Sequence, residues 1–162
     1  MGANESDLRR LEFVERAQFG SCFIIRIPPG ENLIRRIQEL LAAKEARRAA
    51  ILSGIGSLRD VTFRNLAEGV ELPVNKDKTI DTKREGPFEL VSLVGNLIPM
   101  LGRPVTHLHA VLGTPDGQLV GGHLFDATVF DTVELVVAEI AGSRVVKGRD
   151  ESTGLAEMKI AE

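Results

Sequence analysis

The turn signal Thr114-Pro115-Asp116-Gly117, set between two apolar segments, restricts the fold of this chain more than any other stretch of its sequence. Proline favours the second position of a type I turn, and glycine readily takes the left-handed conformation that follows. We therefore predict a three-residue hairpin loop closed by a bulge at Gly117. In this hairpin Thr114 pairs with Gln118, and that pair sets the register of both strands.

The predicted register brings the three histidines of the chain together. His107 and His109 are two residues apart on the strand before the turn, so both side chains leave the same face. The register sets His109 directly opposite His123. Their Cβ atoms should therefore lie about 4.5–5.5 Å apart, and the diagonal pair His107 and His123 should be separated by about 7–8 Å. A two-residue turn would instead send His123 to the other face.

Three converging imidazoles are typical of a transition-metal site. Neutral imidazole nitrogens bind zinc at about 2.0–2.1 Å, and three protein ligands leave the fourth position of the ion open. We therefore predict a Zn²⁺ site at His107, His109 and His123, although imidazole also suits nickel, copper and iron. The alternative is that these are separate core or surface histidines, because a His-x-His spacing alone has little specificity.

The rest of the chain predicts strands and one main helix. Apolar residues from Leu33 to Leu41 recur at helical spacing after an N-cap residue, Asn32. Apolar runs predict strands at 19–27, 49–53 with 58–66, 88–97, 105–113, 118–125, 132–140 and 155–160, with a bulge or bend at Gly54-Ile55-Gly56 and a loop or irregular hairpin over 68–87. Because strands and helices do not alternate, we predict an α+β fold, a single compact domain with a mixed, mostly antiparallel sheet of about six or seven strands.

The length of 162 residues fits one domain. Residues 1–17 are polar and are expected to form a flexible N-terminal arm, so the domain would span 18–162. No apolar run approaches the roughly 20 residues of a membrane helix, and the first residues lack the apolar core of a signal peptide. The single cysteine, Cys22, lies in an apolar run and is expected to be buried and inert, in a reducing, cytoplasmic environment.

Motifs around the histidines resemble those of one known family. They are Gly86-Pro87-Phe88-Glu89-Leu90-Val91-Ser92-Leu93-Val94-Gly95-Asn96-Leu97, His107-Leu108-His109, Asp116-Gly117 and Gly121-Gly122-His123-Leu124, joined by the earlier Ser53-Gly54-Ile55-Gly56-Ser57-Leu58. Over 18–141 the chain resembles the PPC domain, the plants and prokaryotes conserved domain, also called domain of unknown function 296, in its prokaryotic stand-alone form.

The resemblance implies a compact α/β domain that assembles as a homotrimer, with a metal bound near the subunit contacts where members keep the three histidines. In plant members the domain follows an AT-hook that binds the DNA minor groove. Here Pro87 stands where the plant motif Gly-Arg-Phe-Glu has arginine, and Lys147-Gly148-Arg149, expected to be a loop, only distantly resembles an Arg-Gly-Arg core. With a net charge of −3, DNA binding is implied by the family alone.

Two functions fit these observations. One is a non-catalytic, metal-stabilised regulatory or assembly module. The other is a small zinc-dependent enzyme of the hydrolase or lyase type, which would activate water at the open metal position. An enzyme needs an acid or base, for which Glu89 is the first candidate and Asp126 and Asn96 are weaker ones, while Glu89 would otherwise make a salt bridge or an interface hydrogen bond. A concave pocket with a carboxylate beside the metal would favour the enzyme, and a closed site would favour the module.

Overall fold

Long β-prone segments dominate the chain, and the residues that the structure describes form seven strands and one α-helix. The structure, a computed structural model, describes residues 13–161, except for the side chain of Lys76. In chain order the elements are β1 (Gln18–Ile27), α1 (Leu33–Ala43), β2 (Ala49–Leu66), a short 3₁₀ helix (Lys76–Lys78), β3 (Thr79–Met100), β4 (Arg103–Gly113), β5 (Leu119–Ala141), β6 (Val145–Arg149) and β7 (Ala156–Ile160). The predicted single-domain α+β fold is confirmed.

The helix α1 forms where its spacing predicts it. The side chain of Asn32 accepts a hydrogen bond of 2.9 Å from the Arg35 amide, which satisfies one of the free donors of the first turn. Leu33, Ile37 and Leu41 recur every four residues and are buried. This apolar stripe packs against β4 and β5, so the helix covers one face of the sheet. None of the described helices is long and apolar enough to cross a membrane.

The strands of the main sheet follow the order β1-β5-β2-β3-β4, and β4 also pairs with β5. Every one of these pairings is antiparallel. Because β5 is 23 residues long, it reaches β1, β2 and β4, so the pairings β5–β2, β2–β3, β3–β4 and β4–β5 form a closed ring. One continuous apolar core lies between this ring and α1. The strands β6 and β7 form a separate antiparallel hairpin.

Two segments that were expected to be loops are strands, and for them the prediction is wrong. Residues 79–87, expected within a loop or irregular hairpin, belong to β3, which pairs with β2 as far as Leu66 and Thr79. This ribbon has polar side chains on both faces and therefore lacks the alternation that identifies a half-buried strand. Lys147-Gly148-Arg149 lies in β6, where Gly148 pairs with Glu157 of β7. Both strands have five residues, too few to show a period.

The prediction that Cys22 is buried is also wrong, because this residue is exposed. The strand β1 lies at the edge of the sheet and pairs with β5 alone. Its inward residues Ile25 and Ile27 pack towards the core, whereas Cys22 and Ile24 point away from it. Ile24 is 88% exposed, so a continuous apolar run here does not mean burial on both faces.

The expected N-terminal arm, 1–17, falls mostly outside the described residues, and its flexibility and the domain boundary at residue 18 stay predictions. In its described end, Glu15 accepts hydrogen bonds from the Ser143 hydroxyl at 2.6 Å and from the Arg144 amide at 3.0 Å. These bonds lower the pKa of the Glu15 carboxyl. Residues 13–17 are therefore tied to the turn that follows β5.

Candidate metal centre

The hairpin between β4 and β5 has the predicted register. The Thr114 amide donates to the Gln118 carbonyl and the Gly117 amide donates to the Thr114 carbonyl, both at 2.9 Å. Gly117 has a φ of +81°, the left-handed conformation that the turn requires. His109 consequently pairs with His123 across the strands. The local turn chemistry thus sets His109 opposite His123.

The three imidazoles converge on one point. Their ring centroids lie 5.1–5.4 Å apart, and one ring nitrogen of each lies within 4.8 Å of the others. Nε2 of His107 and Nε2 of His109 are 3.2 Å apart. Two nitrogens on one tetrahedral zinc, each at about 2.0–2.1 Å from the ion, would be separated by about 3.3 Å. The spacing of the His107 and His109 nitrogens therefore suits a shared ion.

The alternation of β4 holds two of these rings on the outer face of the sheet. Leu108, Ala110 and Leu112 are buried in the core. His107 and His109 alternate with them and leave the opposite face, with His107 half-buried and His109 exposed. The core therefore anchors the strand while both imidazoles remain free to bind an ion.

A close backbone contact fixes β3 behind His107. Gly95 has a φ of +150°, and it pairs with Leu108. A Cβ at this position would lie 2.0 Å from the carbonyl oxygen of His107. Glycine is therefore needed at position 95 for both its conformation and its lack of a side chain.

Asn65 on β2 is a positioning residue that the sequence analysis missed. Its side-chain oxygen accepts a hydrogen bond of 3.1 Å from the His123 amide, and its nitrogen donates to the Gly121 carbonyl at 3.4 Å. A Cβ on Gly122 would lie 2.0 Å from that oxygen. The pair Gly121-Gly122 therefore makes room for Asn65, which holds the backbone of His123. The two glycines before His123 indicate that another part of the chain approaches the backbone closely, but the sequence does not identify which residue does so.

Replacing Asn65 with alanine should destabilise the domain by about 0.5–1.5 kcal/mol, because the exposed hydrogen bond from the His123 amide is lost. Zinc should also bind more weakly, since the backbone of one ligand is released. The matched control is Asn75→Ala, which removes a similar bond of 3.1 Å to the Asp77 amide in an exposed loop. Urea unfolding and zinc titration of both variants provide the measurement. Equal effects of the two variants on zinc affinity would exclude the positioning role.

The electrostatic environment favours neutral imidazoles at two of the three positions. Burial, followed by the charges of His107, His109, Lys147 and Arg64, lowers the pKa of His123 to about 4. Burial is also the main cause of the lowered pKa of His107, with Lys147 and His109 adding to it and Glu157 opposing it. Because a metal binds the neutral form of imidazole, both groups are in the binding form at neutral pH.

The metal-free protein should therefore lose stability as the pH falls from about 6.5 to about 4. In this window His123 takes up a proton in the unfolded chain, near its ordinary pKa, but resists protonation in the folded chain until about 4. The unfolded state binds more protons, so acid favours it. Urea midpoints measured with a chelator at pH 7 and pH 4.5 should show this drop, and His123→Gln should reduce it. An equal drop in the unsubstituted protein and in His123→Gln would show that His123 is not the cause of the acid sensitivity.

The three histidines open onto a cavity of about 420 Å³, which we call the histidine pocket. Its walls include the apolar side chains of Leu66, Val105 and Leu155. The β6–β7 hairpin adds two charged residues, Lys147 and Glu157. A fourth coordination position on an ion at the histidines would therefore face a concave space with a carboxylate beside it.

Arg64 also lines the histidine pocket, but its guanidinium is already occupied. It donates two hydrogen bonds of 2.7 Å to Asp81, one to each carboxylate oxygen. Its terminal carbon lies 3.6 Å from the ring centroid of Phe125, a cation–π arrangement. The pairing with Asp81 raises the pKa of Arg64 and lowers the pKa of Asp81. Arg64 is therefore a fixed wall of the pocket.

The structure does not bring Glu89 to the three histidines. Glu89 is exposed on β3 opposite Gly113, which is four residues, about 13 Å, along β4 from His109. Asp126 instead accepts a hydrogen bond of 2.6 Å from the Asn32 side chain and lines a different cavity.

Asn96 lies beside the cluster, directly opposite His107 on β3. Its side-chain oxygen is buried and has no hydrogen-bond partner among the described residues. Glu157 is the carboxylate that lines the pocket, and sequence reasoning missed it. Its strand lies far from the histidine hairpin along the chain and carries no motif.

Comparison with known proteins identifies relatives of this chain. A sequence model of the family described as the Plants and Prokaryotes Conserved (PCC) domain matches residues 14–141. A metal-containing protein from Archaeoglobus fulgidus is 32% identical, with a TM-score of 0.80 over 91% of this chain and 99% of that one. A plant- and prokaryote-conserved protein from Pyrococcus horikoshii is 27% identical, with a TM-score of 0.81 over 93% and 99% of the two chains.

Two further relatives share the fold or part of the sequence. A candidate DNA-binding protein from Bacteroides thetaiotaomicron is 22% identical, with a TM-score of 0.75 over 89% of this chain and 97% of that one. The bifunctional protein GlmU of a Synechococcus strain is 30% identical over 137 residues, or 84% of this chain. The chain spans about a fifth, 20%, of the length of that curated relative.

Proposed function

Because the chain belongs to the Plants and Prokaryotes Conserved domain family, and because its three imidazoles converge, we propose that it is a zinc-binding domain with His107, His109 and His123 as ligands. The observation that carries this proposal is the convergence of three ring nitrogens within 4.8 Å of one another, two of which are 3.2 Å apart. Two ring nitrogens at this distance repel each other unless a proton or a cation lies between them. That the Archaeoglobus fulgidus relative is a metal-containing protein supports the same conclusion.

Zinc is the ion that this set of ligands favours. Three neutral nitrogen ligands with an open fourth position are typical of zinc, which has no redox chemistry and tolerates an incomplete protein shell. Nickel, copper and iron also bind imidazole and are the alternatives. Magnesium and calcium prefer oxygen ligands and should not bind here.

Zinc binding should raise the melting temperature of the metal-free protein. A ligand present at about 1,000 times its Kd stabilises the folded state by about 4 kcal/mol, which is about 10 °C for a domain of this size. Magnesium at the same concentration is the control and should have no effect. A melting temperature that zinc leaves unchanged would overturn the proposed site.

We further propose that the domain acts as a homotrimeric regulatory or assembly module in the cytoplasm. The single chain leaves large apolar side chains exposed on several strands, including Phe19 at 67%, Ile24 at 88%, Ile55 at 53%, Val94 at 46% and Phe130 at 50%. Soluble monomers rarely leave extended apolar surfaces uncovered, so this exposure favours assembly. Val94 pairs with His109, which places part of the apolar surface next to the metal centre.

Sedimentation equilibrium should give a mass about three times the 17.6 kDa of one chain. The reason is that three copies would cover the exposed apolar faces that one copy leaves in water. A mass of a single chain at micromolar concentration would contradict the assembly, while leaving the metal site unaffected.

A second candidate function is a small zinc-dependent enzyme, which the histidine pocket favours. When bound, the metal would lower the pKa of a bound water to about 7. Glu157 lines the same pocket and is the carboxylate placed to accept or return a proton there. Glu89 lies too far from the histidines of its own chain for this role. An open pocket beside the histidines is typical of a catalytic metal site, whereas a structural metal site is closed by protein ligands.

Duplex DNA binding is not part of the proposal. The net charge of −3 provides no basic surplus for many phosphate contacts. The Bacteroides thetaiotaomicron protein is only 22% identical, so its likeness extends to the fold alone.

A further inference from the structure

The β6–β7 hairpin places a lysine in the wall of the histidine pocket. Lys147 is 8% exposed and lines the pocket together with the three histidines. The hairpin, residues 145–160, lies beyond the residues 14–141 that match the family. The match to the family therefore does not include this lysine.

Most of Lys147 is buried, whereas its unpartnered ammonium keeps some contact with solvent in the pocket that it lines. Lysine is seldom buried to this extent without a partner for its charge. Within residues 13–161, the side chain of Lys147 makes no hydrogen bond and no ion pair within 4 Å. Glu157 interacts with it favourably over a longer distance. The pocket thus contains a positive charge that is not neutralised by direct contact.

The surroundings of Lys147 indicate which kind of anion would fit. Arg64 is already paired with Asp81, so Lys147 is the available cationic side chain of the pocket. A single ammonium suits a single negative charge better than a phosphate dianion, and Glu157 would repel a second charge. The apolar side chains of Val105 and Leu155 offer contact to a short hydrocarbon group.

We propose that the histidine pocket binds a small monocarboxylate, whose carboxylate pairs with Lys147 and whose apolar part contacts Val105 and Leu155. This inference rests on the proposed metal site, because an ion at the histidines would add a second positive charge to the same space. The negative charge of the carboxylate would neutralise the positive charge of Lys147 in the pocket.

Propionate and propionamide are the probes that test this inference, because they have the same shape but differ in charge. Chemical-shift titrations of the zinc-loaded protein should show propionate binding at least about tenfold more tightly than propionamide, and more tightly than inorganic phosphate. Lys147→Met should weaken propionate binding at least about tenfold, and Lys147→Arg should largely retain it. The control is Lys159→Met on the neighbouring strand, an exposed lysine outside the pocket wall, which should leave binding unchanged.

Lys147→Met is expected to fold, since methionine has a similar length and can fill the space of the buried lysine stem. Equal propionate binding by Lys147→Met and the unsubstituted protein, tighter binding of propionamide or phosphate, or no propionate binding would each overturn the inference. Zinc content is measured on the same samples. If the unsubstituted protein holds no zinc, the metal proposal fails. The carboxylate site is then tested separately in the metal-free protein, where propionate should still bind and Lys147→Met should weaken that binding.

Discussion

Replacing His109 with alanine should reduce the zinc content from one ion per chain to nearly none while the fold survives. Removing a side chain that only orients a metal ligand typically weakens metal binding by about 10–100-fold. Removing a ligand itself should therefore weaken metal binding further. His109 is exposed on the outer face of the sheet, and its removal leaves no cavity in the core. Elemental analysis after dialysis measures the zinc, and circular dichroism measures the fold.

The matched control for His109→Ala is Thr106→Val, a change of nearly equal volume in the wall of the same pocket. Thr106 is not among the three converging groups, so this variant should keep its zinc. Stoichiometric zinc in His109→Ala would refute the ligand assignment. Loss of zinc from both variants would show that the pocket, rather than the imidazole, determines binding, which also contradicts it.

The second large effect is expected at Gly95. An alanine there would place its Cβ 2.0 Å from the carbonyl oxygen of His107, in a backbone conformation with a φ of +150°. The clash involves backbone that is paired in the sheet, so relief requires β3 and β4 to separate at the metal centre. We expect a loss of about 3 kcal/mol or more in the free energy of unfolding, with weaker zinc binding.

Gly102→Ala is the control for Gly95→Ala. Gly102 also has a positive φ, +76°, but a Cβ at this position meets nothing within 4 Å. Gly102→Ala should lower the free energy of unfolding by about 1–2 kcal/mol, which is the strain of the left-handed conformation alone. Urea unfolding compares the two variants. If both cost the same, the close approach of β3 to His107 does not contribute to stability.

The core of the candidate site could be predicted because it is local in the sequence. The turn at Thr114–Gly117 sets the register, and the register alone brings His109 opposite His123. The helix α1 was predictable for the same reason, since its cap and its apolar stripe lie within a dozen residues. In both cases one short segment contains all the residues that determine the geometry.

The surroundings of the histidines were not predictable, because they come from distant parts of the chain. Asn65 reaches the site from β2, and Lys147 and Glu157 reach it from a hairpin of two short strands. Glu89 was the preferred carboxylate because of its motif, but a bulge between Leu90 and Ser92 and the length of β4 separate it from the histidines. Distances of this kind depend on strand order and on pairings outside the Thr114–Gly117 hairpin, which local sequence signals do not specify.

The burial of Cys22 and the strand over 79–87 were mispredicted for a related reason. Hydrophobic periodicity identifies a strand that has one buried and one exposed face. It therefore gives the wrong prediction for an edge strand with exposed apolar residues and for a ribbon with two polar faces. Cys22 lies on the open face of β1, and residues 79–87 pair with β2 mainly through the backbone. The exposed apolar side of β1 also belongs to the surface that the proposed trimer would cover.

Anomalous diffraction from crystals of the zinc-loaded protein, recorded on both sides of the zinc absorption edge, tests the central claim most directly. We predict one zinc peak per chain, bonded to one nitrogen each of His107, His109 and His123 at about 2.0–2.1 Å. Its fourth position should face the pocket that Glu157 and Lys147 line. An absent peak, or a structure in which the His123 ring points away from the other two, would contradict the account.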